Sequence, residues 1–204
     1  MIHIDKSGFV GRGHHREVYR HPQRPELCIK VIFDNQYDTR EIEREKSYYK
    51  HLQNRGISWD LLSQYHGDVD TDLGAGSVFD LVVDTDNSVS KTLGYYLSDP
   101  DRTQTYYSDL LKTLADLKHY LLEQRIITKS LAHRNIVCQK TPSGITRMVI
   151  IDNIGNAEFL PLSNYISFMG RKKVGRKWQR FEKKLAKEFS DNQALHNLLK
   201  DLNK

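Results

Sequence analysis

A lysine stands in the middle of an apolar, β-branched run, Leu27-Cys28-Ile29-Lys30-Val31-Ile32-Phe33. Such a run reads as a buried strand. An ammonium buried without a partner is costly. A neighbouring element must therefore supply a carboxylate, unless Lys30 sits on an edge strand and reaches water. A helix is expected from Thr39 to about Gln53, with Ile42, Tyr48, Tyr49 and Leu52 on its apolar face and Asn54-Arg55-Gly56 as its stop. Glu45 lies just ahead of that face and is the expected partner. Glu41, one turn earlier, is the alternate.

The rest of the first 85 residues alternates strand-like runs with turns. Ser7–Val10 and Glu17–Tyr19 flank a glycine-containing turn. Ser77–Asp84 reads as a strand after the turn-like Asp72–Gly76. A long helix is expected from about Thr105 to Gln124, where Leu110, Leu111, Leu114, Leu117, Leu121 and Leu122 recur on one face. Ile126–Val137 runs from loop into a short strand. Thr141–Gly144 is a turn, Met148–Asp152 a buried strand, and the last 50 residues are mostly helical. Segregated strands and helices predict an α+β architecture. One domain over residues 1–204 is expected, strand-rich over residues 1–86 and mainly helical over residues 87–204.

Composition narrows the class. The chain is 38% hydrophobic and 28% charged, which suits a globular core and argues against disorder. It has no apolar run long enough for a transmembrane helix, and its first residues lack an apolar signal core, so a cytoplasmic protein is expected. Cys28 and Cys138 both lie in apolar runs without zinc-type spacing, which predicts buried thiols in a reducing compartment. The net charge is +5, but residues 171–187 hold nine Lys/Arg and one Glu, a net +8, leaving −3 elsewhere (5 − 8). The basic character therefore belongs to one segment.

Several short patterns fall in a telling order. Gly11-Arg12-Gly13-His14-His15-Arg16-Glu17-Val18 resembles the protein-kinase glycine-rich loop, with Arg16 at the third glycine. Its two glycines suit a backbone that closes over phosphates, although a plain β-turn needs them equally. Lys30, twelve residues after Val18, matches the lysine strand of that family. Leu81–Asp84 resembles the strand entering the hinge. The Ser130–Asn135 stretch is in register with the catalytic loop, and Asp152-Asn153-Ile154-Gly155 resembles the metal-binding D-F-G turn with one inserted residue. Each pattern alone is weak, and their joint order carries the resemblance.

The resemblance implies a two-lobed protein-kinase-like fold that binds ATP with Mg²⁺ or Mn²⁺. Gly11, Gly13 and Val18 would cover the nucleotide, Lys30 would contact the phosphates and pair with Glu45, and the backbone about Asp84 would meet the adenine edge. Asn135 and Asp152 would hold the metal. A closer resemblance is to the YrbL family, the PhoP regulatory network proteins. It rests on Cys28–Val31, Tyr48-Tyr49-x-x-Leu52, Tyr65-His66-Gly67 with Thr71-Asp72, the run from Ile127 to Ile136, Ile150–Gly155 and Phe159–Leu162. That family implies a place in a two-component stress response and leaves the activity open.

The kinase catalytic Asp is replaced by Ser130, and the lysine two residues on by Ala132. A general base contributes about 10²–10⁴-fold in rate, so slow transfer is expected, or none. His133 is a weak substitute base, with a surface loop residue as the plain alternative. Only 49 residues follow Gly155 (204 − 155), which disfavours a peptide-binding platform. A non-peptide acceptor, or a nucleotide-binding pseudokinase with a protein partner, fits better. In the basic segment Val174, Trp178, Phe181, Leu185 and Phe189 form an apolar stripe expected to pack inward. Lys177, Arg180, Lys184 and Lys187 flank it, either as a solvated face or as a contact for an anionic surface.

Overall fold

The computed structural model describes residues 1–33, 40–155 and 167–204. Within them the protein is a mixed α+β structure with two antiparallel sheets and six α-helices. Strands β1 (Phe9–Arg12), β2 (Arg16–Arg20), β3 (Leu27–Ile32), β4 (Tyr65–Thr71) and β5 (Gly74–Asp80) form one sheet in the order β1-β2-β3-β5-β4. The apolar lysine run is its central strand, buried from Leu27 to Val31. Helix α1 (Arg40–Asn54) buries Ile42, Glu45, Tyr48, Tyr49 and Leu52 and ends before Gly56, whose φ of 60° is the left-handed stop expected there.

Strands β6 (Lys91–Thr92), β7 (Ile136–Thr141) and β8 (Gly144–Ile150) form the second sheet. Around it lie α2 (Leu93–Leu97), α3 (Pro100–Thr105), α4 (Tyr107–Glu123), α5 (Ser167–Glu188) and α6 (Gln193–Asp201). One apolar cluster runs through both sets of elements, from Tyr49 and Phe79 to Leu114, Ile150 and Trp178. Backbone bonds also join them: Ile150 N–H donates to Leu61 O at 3.0 Å and Ser63 N–H to Ile150 O at 2.9 Å. No described helix is long and apolar enough to cross a membrane. Cys28 and Cys138 are free and buried, and burial raises both thiol pKa values, that of Cys28 to about 11.

Four expectations change. The strand predicted to reach Asp84 ends at Asp80, because the Asp80 carboxylate accepts from Gln64 N–H at 2.8 Å and the next amide, Leu81 N–H, turns to Glu26 O. The turn before it is Thr71–Gly74, tightened by Thr71 Oγ1 donating to Gly74 O at 2.6 Å, so Gly74–Gly76 already belong to β5. The long helix starts at Tyr107, because Asp99 caps a separate helix with Pro100 at its first position. The strand before Asp152 runs from Gly144 to Ile150. The Thr39 start of the first helix and the Phe159–Leu162 run lie outside the described residues.

Helix α5 buries Val174, Trp178, Phe181 and Leu185, with Phe189 half-buried beyond its end. Lys177 is turned inward and donates to Lys129 O. The exposed basic row is Lys172, Arg176, Arg180, Lys183 and Lys187, opposite the apolar stripe. Lys184, beside it, lies 3.6 Å from Glu188.

Candidate functional site

Four charged side chains meet where β2, β3, α1 and the segment after β8 converge. Lys30 projects from β3 and is only 6% exposed. Its Nζ donates to Ile151 O at 2.7 Å, lies 3.7 Å from Asp152 Oδ2 and sits over the Phe79 ring at 4.3 Å. Arg16 comes from the start of β2. Its Nη1 donates to Glu45 Oε2 and its Nη2 to Asp152 Oδ1, each at 2.9 Å. Asp152 Oδ1 also accepts the Asn153 N–H at 2.7 Å. Asn153 and Gly155 have φ of 69° and 126°, so a left-handed turn presents the Asp152 carboxylate.

The electrostatics follow from this packing. Burial pushes the Glu45 carboxyl up, partly offset by Arg16. Burial also opposes ionisation of Asp152, but Lys30 and Arg16 outweigh it and hold that carboxyl well below the usual range. Two cations and two carboxylates thus share one small volume. Two buried polar atoms nearby have no hydrogen-bond partner among the described residues: Glu45 Oε1 and, one turn along α1, the Tyr49 hydroxyl. A cavity of about 330 Å³ opens beside Arg16 and Lys30, between α1 and strands β3–β5.

The expected Lys30–Glu45 pair does not form directly. Glu45 takes Arg16 instead, because the side chain at the third loop position reaches into the space between the carboxylates. Glu41 lies 3.5 Å from Lys129 Nζ. Against the glycine-loop pattern Arg16 is only a departure. The strand it opens, Arg16-Glu17-Val18-Tyr19-Arg20, is largely charged and lacks the apolar run that singles out Lys30.

The other expected residues divide between this cluster and the scaffold. Gly11 pairs with Val18 across the β1–β2 hairpin, and Gly13 N–H donates to Arg16 O at 2.8 Å. A Cβ on Gly11 would meet nothing, and one on Gly13 would meet only ordinary contact. Val18 packs on the main core. Asn135 O accepts the Ile151 N–H at 3.0 Å, which holds Asn135 beside the segment carrying Asp152. Ser130 Oγ accepts from Asn153 Nδ2 at 2.8 Å.

Asp84 serves the scaffold. Its Oδ1 accepts from Ser90 Oγ and Lys140 N–H, its own amide donates to Ser88 O, and the Thr85 amide to Lys140 O. His133 packs against Gly94, where a Cβ would collide with its ring, and against Phe189. Its Nε2 lies 3.3 Å from Glu188 Oε2, and its Nδ1 is buried without a partner among the described residues.

Among the described residues no three His, Cys, Asp or Glu side chains are grouped to hold a metal ion. Asp152 and Asn135 offer oxygen donors from adjacent segments. That set fits Mg²⁺ arriving with phosphate oxygens, since Mg²⁺ commonly takes one or two carboxylates and completes its shell with water and substrate.

The fold and the cluster define a mixed α+β protein with a polar centre of two cations and two carboxyl groups, largely buried. The chain belongs to the family described as PhoP regulatory network protein YrbL, whose model matches residues 2–186. It is 35% identical over 182 residues to the uncharacterized protein YrbL of Escherichia coli strain K12, covering 89% of this chain and 86% of the relative. The YrbL protein of Shigella flexneri matches to the same extent.

Proposed function

We propose that this chain is a kinase-like, nucleotide-binding member of its family. In this reading Lys30 meets the phosphates of ATP, and Asp152 with Asn135 holds Mg²⁺ or Mn²⁺. The observation that carries it is the approach of Lys30 Nζ to Asp152 Oδ2 at 3.7 Å, beside a Lys30–Ile151 bond that joins residues 121 positions apart. A buried lysine and an acid on a left-handed turn are costly to assemble, and phosphate and metal binding explain why both are there. Gly11 and Gly13 support it too: neither is required by a positive φ or by a clash, so their bare backbone is free to approach a ligand.

Two observations favour a regulatory pseudokinase over an efficient phosphotransferase. Ser130 offers no carboxylate and already bonds Asn153, and His133 is committed to Glu188 and Phe189. Slow transfer to a non-peptide acceptor is the second reading, favoured by the convergence of Lys30 and Asp152, because phosphoryl transfer depends mostly on positioning and charge. The family description supports a role in a PhoP-type response, and a protein partner and a cytoplasmic setting, where ATP is available, belong to the same proposal. The exposed basic row on α5 offers a contact for an anionic surface, which added salt would weaken.

The test is thermal shift with ATP and Mg²⁺ or Mn²⁺ on wild type, Lys30→Ala and Asp152→Ala. Stabilisation of wild type alone supports nucleotide binding. Phosphate transfer to an acceptor pool then separates the two readings.

A further inference from the structure

Asp152 Oδ1 is engaged before any ligand arrives, while the side chain as a whole is 36% exposed. Its Oδ1 accepts from both Arg16 Nη2 and the Asn153 N–H, and Lys30 faces its Oδ2. The Arg16 guanidinium, 15% exposed, lies between this carboxylate and Glu45. A divalent ion directed to Asp152 Oδ1 therefore meets a cation in its place. Lys30 and Arg16 already place two positive charges here, and a further cation beside them adds repulsion.

The arrangement is also incomplete. Among the described residues neither Glu45 Oε1 nor the Tyr49 hydroxyl, both buried, finds a hydrogen-bond partner, although they lie one turn apart on α1. Buried polar atoms are rarely left unpaired in a final state. Lys30 is close enough to lower the Glu45 carboxyl's pKa and now spends its hydrogen bond on a backbone carbonyl. It can take over Glu45 if Arg16 withdraws. Arg16 begins β2, separated by one residue from the exposed Gly13-His14, and lines the cavity of about 330 Å³ beside Lys30, which gives its side chain room to withdraw.

We propose that Arg16 is an internal stand-in for the metal ion, and that a nucleotide–metal complex binds only after its guanidinium leaves Asp152. Resting on the nucleotide-binding reading above, this makes Arg16 the residue that sets the metal dependence and affinity of the site. It is a positioning residue: it acts through Asp152 and Glu45.

The experiment is isothermal titration of ATP at fixed Mg²⁺, and of Mg²⁺ at fixed ATP, on wild type and Arg16→Gly. Arg16→Met combined with Glu45→Gln is the second variant, which leaves no buried carboxylate of α1 unpaired if the glycine variant folds poorly. Removing Arg16 is expected to tighten ATP binding about 5- to 150-fold, the usual range for coupled sites, and to lower the Mg²⁺ midpoint. Equal or weaker ATP binding by folded Arg16 variants, with wild type binding, overturns the proposal and leaves the nucleotide reading intact. A tighter ATP fit with an unmoved Mg²⁺ midpoint overturns it as well. Absence of binding by wild type and folded variants overturns both. Binding by the variants alone supports both.

Discussion

Arg16 Nη2 lies 2.9 Å from Asp152 Oδ1, joining residues 136 positions apart. The contact ties the β1–β2 hairpin to the turn after β8. With the Arg16–Glu45 bond it closes the polar centre from three directions.

The first prediction concerns that closure. Glu45→Ala removes one partner of a buried ion pair and leaves Arg16 half-satisfied. Breaking such a pair costs about 3–5 kcal/mol. Glu45→Gln keeps an oxygen for Arg16 Nη1 and removes a carboxyl that burial already disfavours. Urea denaturation is expected to show a much smaller loss for Gln than for Ala. Equal losses would mean that Glu45 matters for packing alone.

A second prediction concerns pH. Burial lowers the His133 pKa from 6.5, with Glu188 partly opposing it. The unfolded chain then binds the proton more readily, so stability rises with pH. His133 contributes fully above about pH 6.5, and the contribution is lost as pH falls through the lowered folded value. His21 has the same sign, again through burial. Melting temperature is expected to climb from pH 5 to 7, and His133→Gln to flatten the climb. An unchanged slope in the variant would refute the assignment.

Asn192 gives a third. Its side chain is 3% exposed, accepts the Leu195 N–H at 2.9 Å as the cap of α6, and donates to Leu97 O and Thr103 Oγ1. Asn192→Ala loses a cap worth about 0.5–2 kcal/mol and orphans buried acceptors at about 1–3 kcal/mol. A loss of about 2 kcal/mol or more is expected by denaturant titration. A change below about 0.5 kcal/mol would contradict these contacts.

The main elements are readable in the sequence where one signal dominates. Lys30 in its apolar strand, the Tyr48-Tyr49-Leu52 face of α1 and the leucine face of α4 all have clear periods, and the structure buries them, with Leu111 and Leu122 of α4 only half-buried. Strand β4 escapes a sequence reading, because Tyr65–Thr71 has His66, Asp68 and Asp70 on its exposed positions and Gly67 among the inner ones, and resembles a loop in composition. The break between α3 and α4 is hidden because Tyr106 can continue a helix, and its non-helical backbone comes from tertiary packing. In the polar centre Lys30, Glu45 and Asp152 are legible as charged residues in or beside apolar runs. Which cation meets which acid is not, since Arg16 and Lys30 both reach the same space and only packing decides between them.

The measurement that tests the account most directly is calorimetric titration of wild type, Lys30→Ala and Asp152→Ala with ATP in the presence of Mg²⁺. The account predicts saturable binding by wild type that is lost or greatly weakened in both variants, with circular dichroism showing all three folded. Binding unchanged by both substitutions, or no heat of binding with wild type and with folded Arg16→Gly alike, would contradict it.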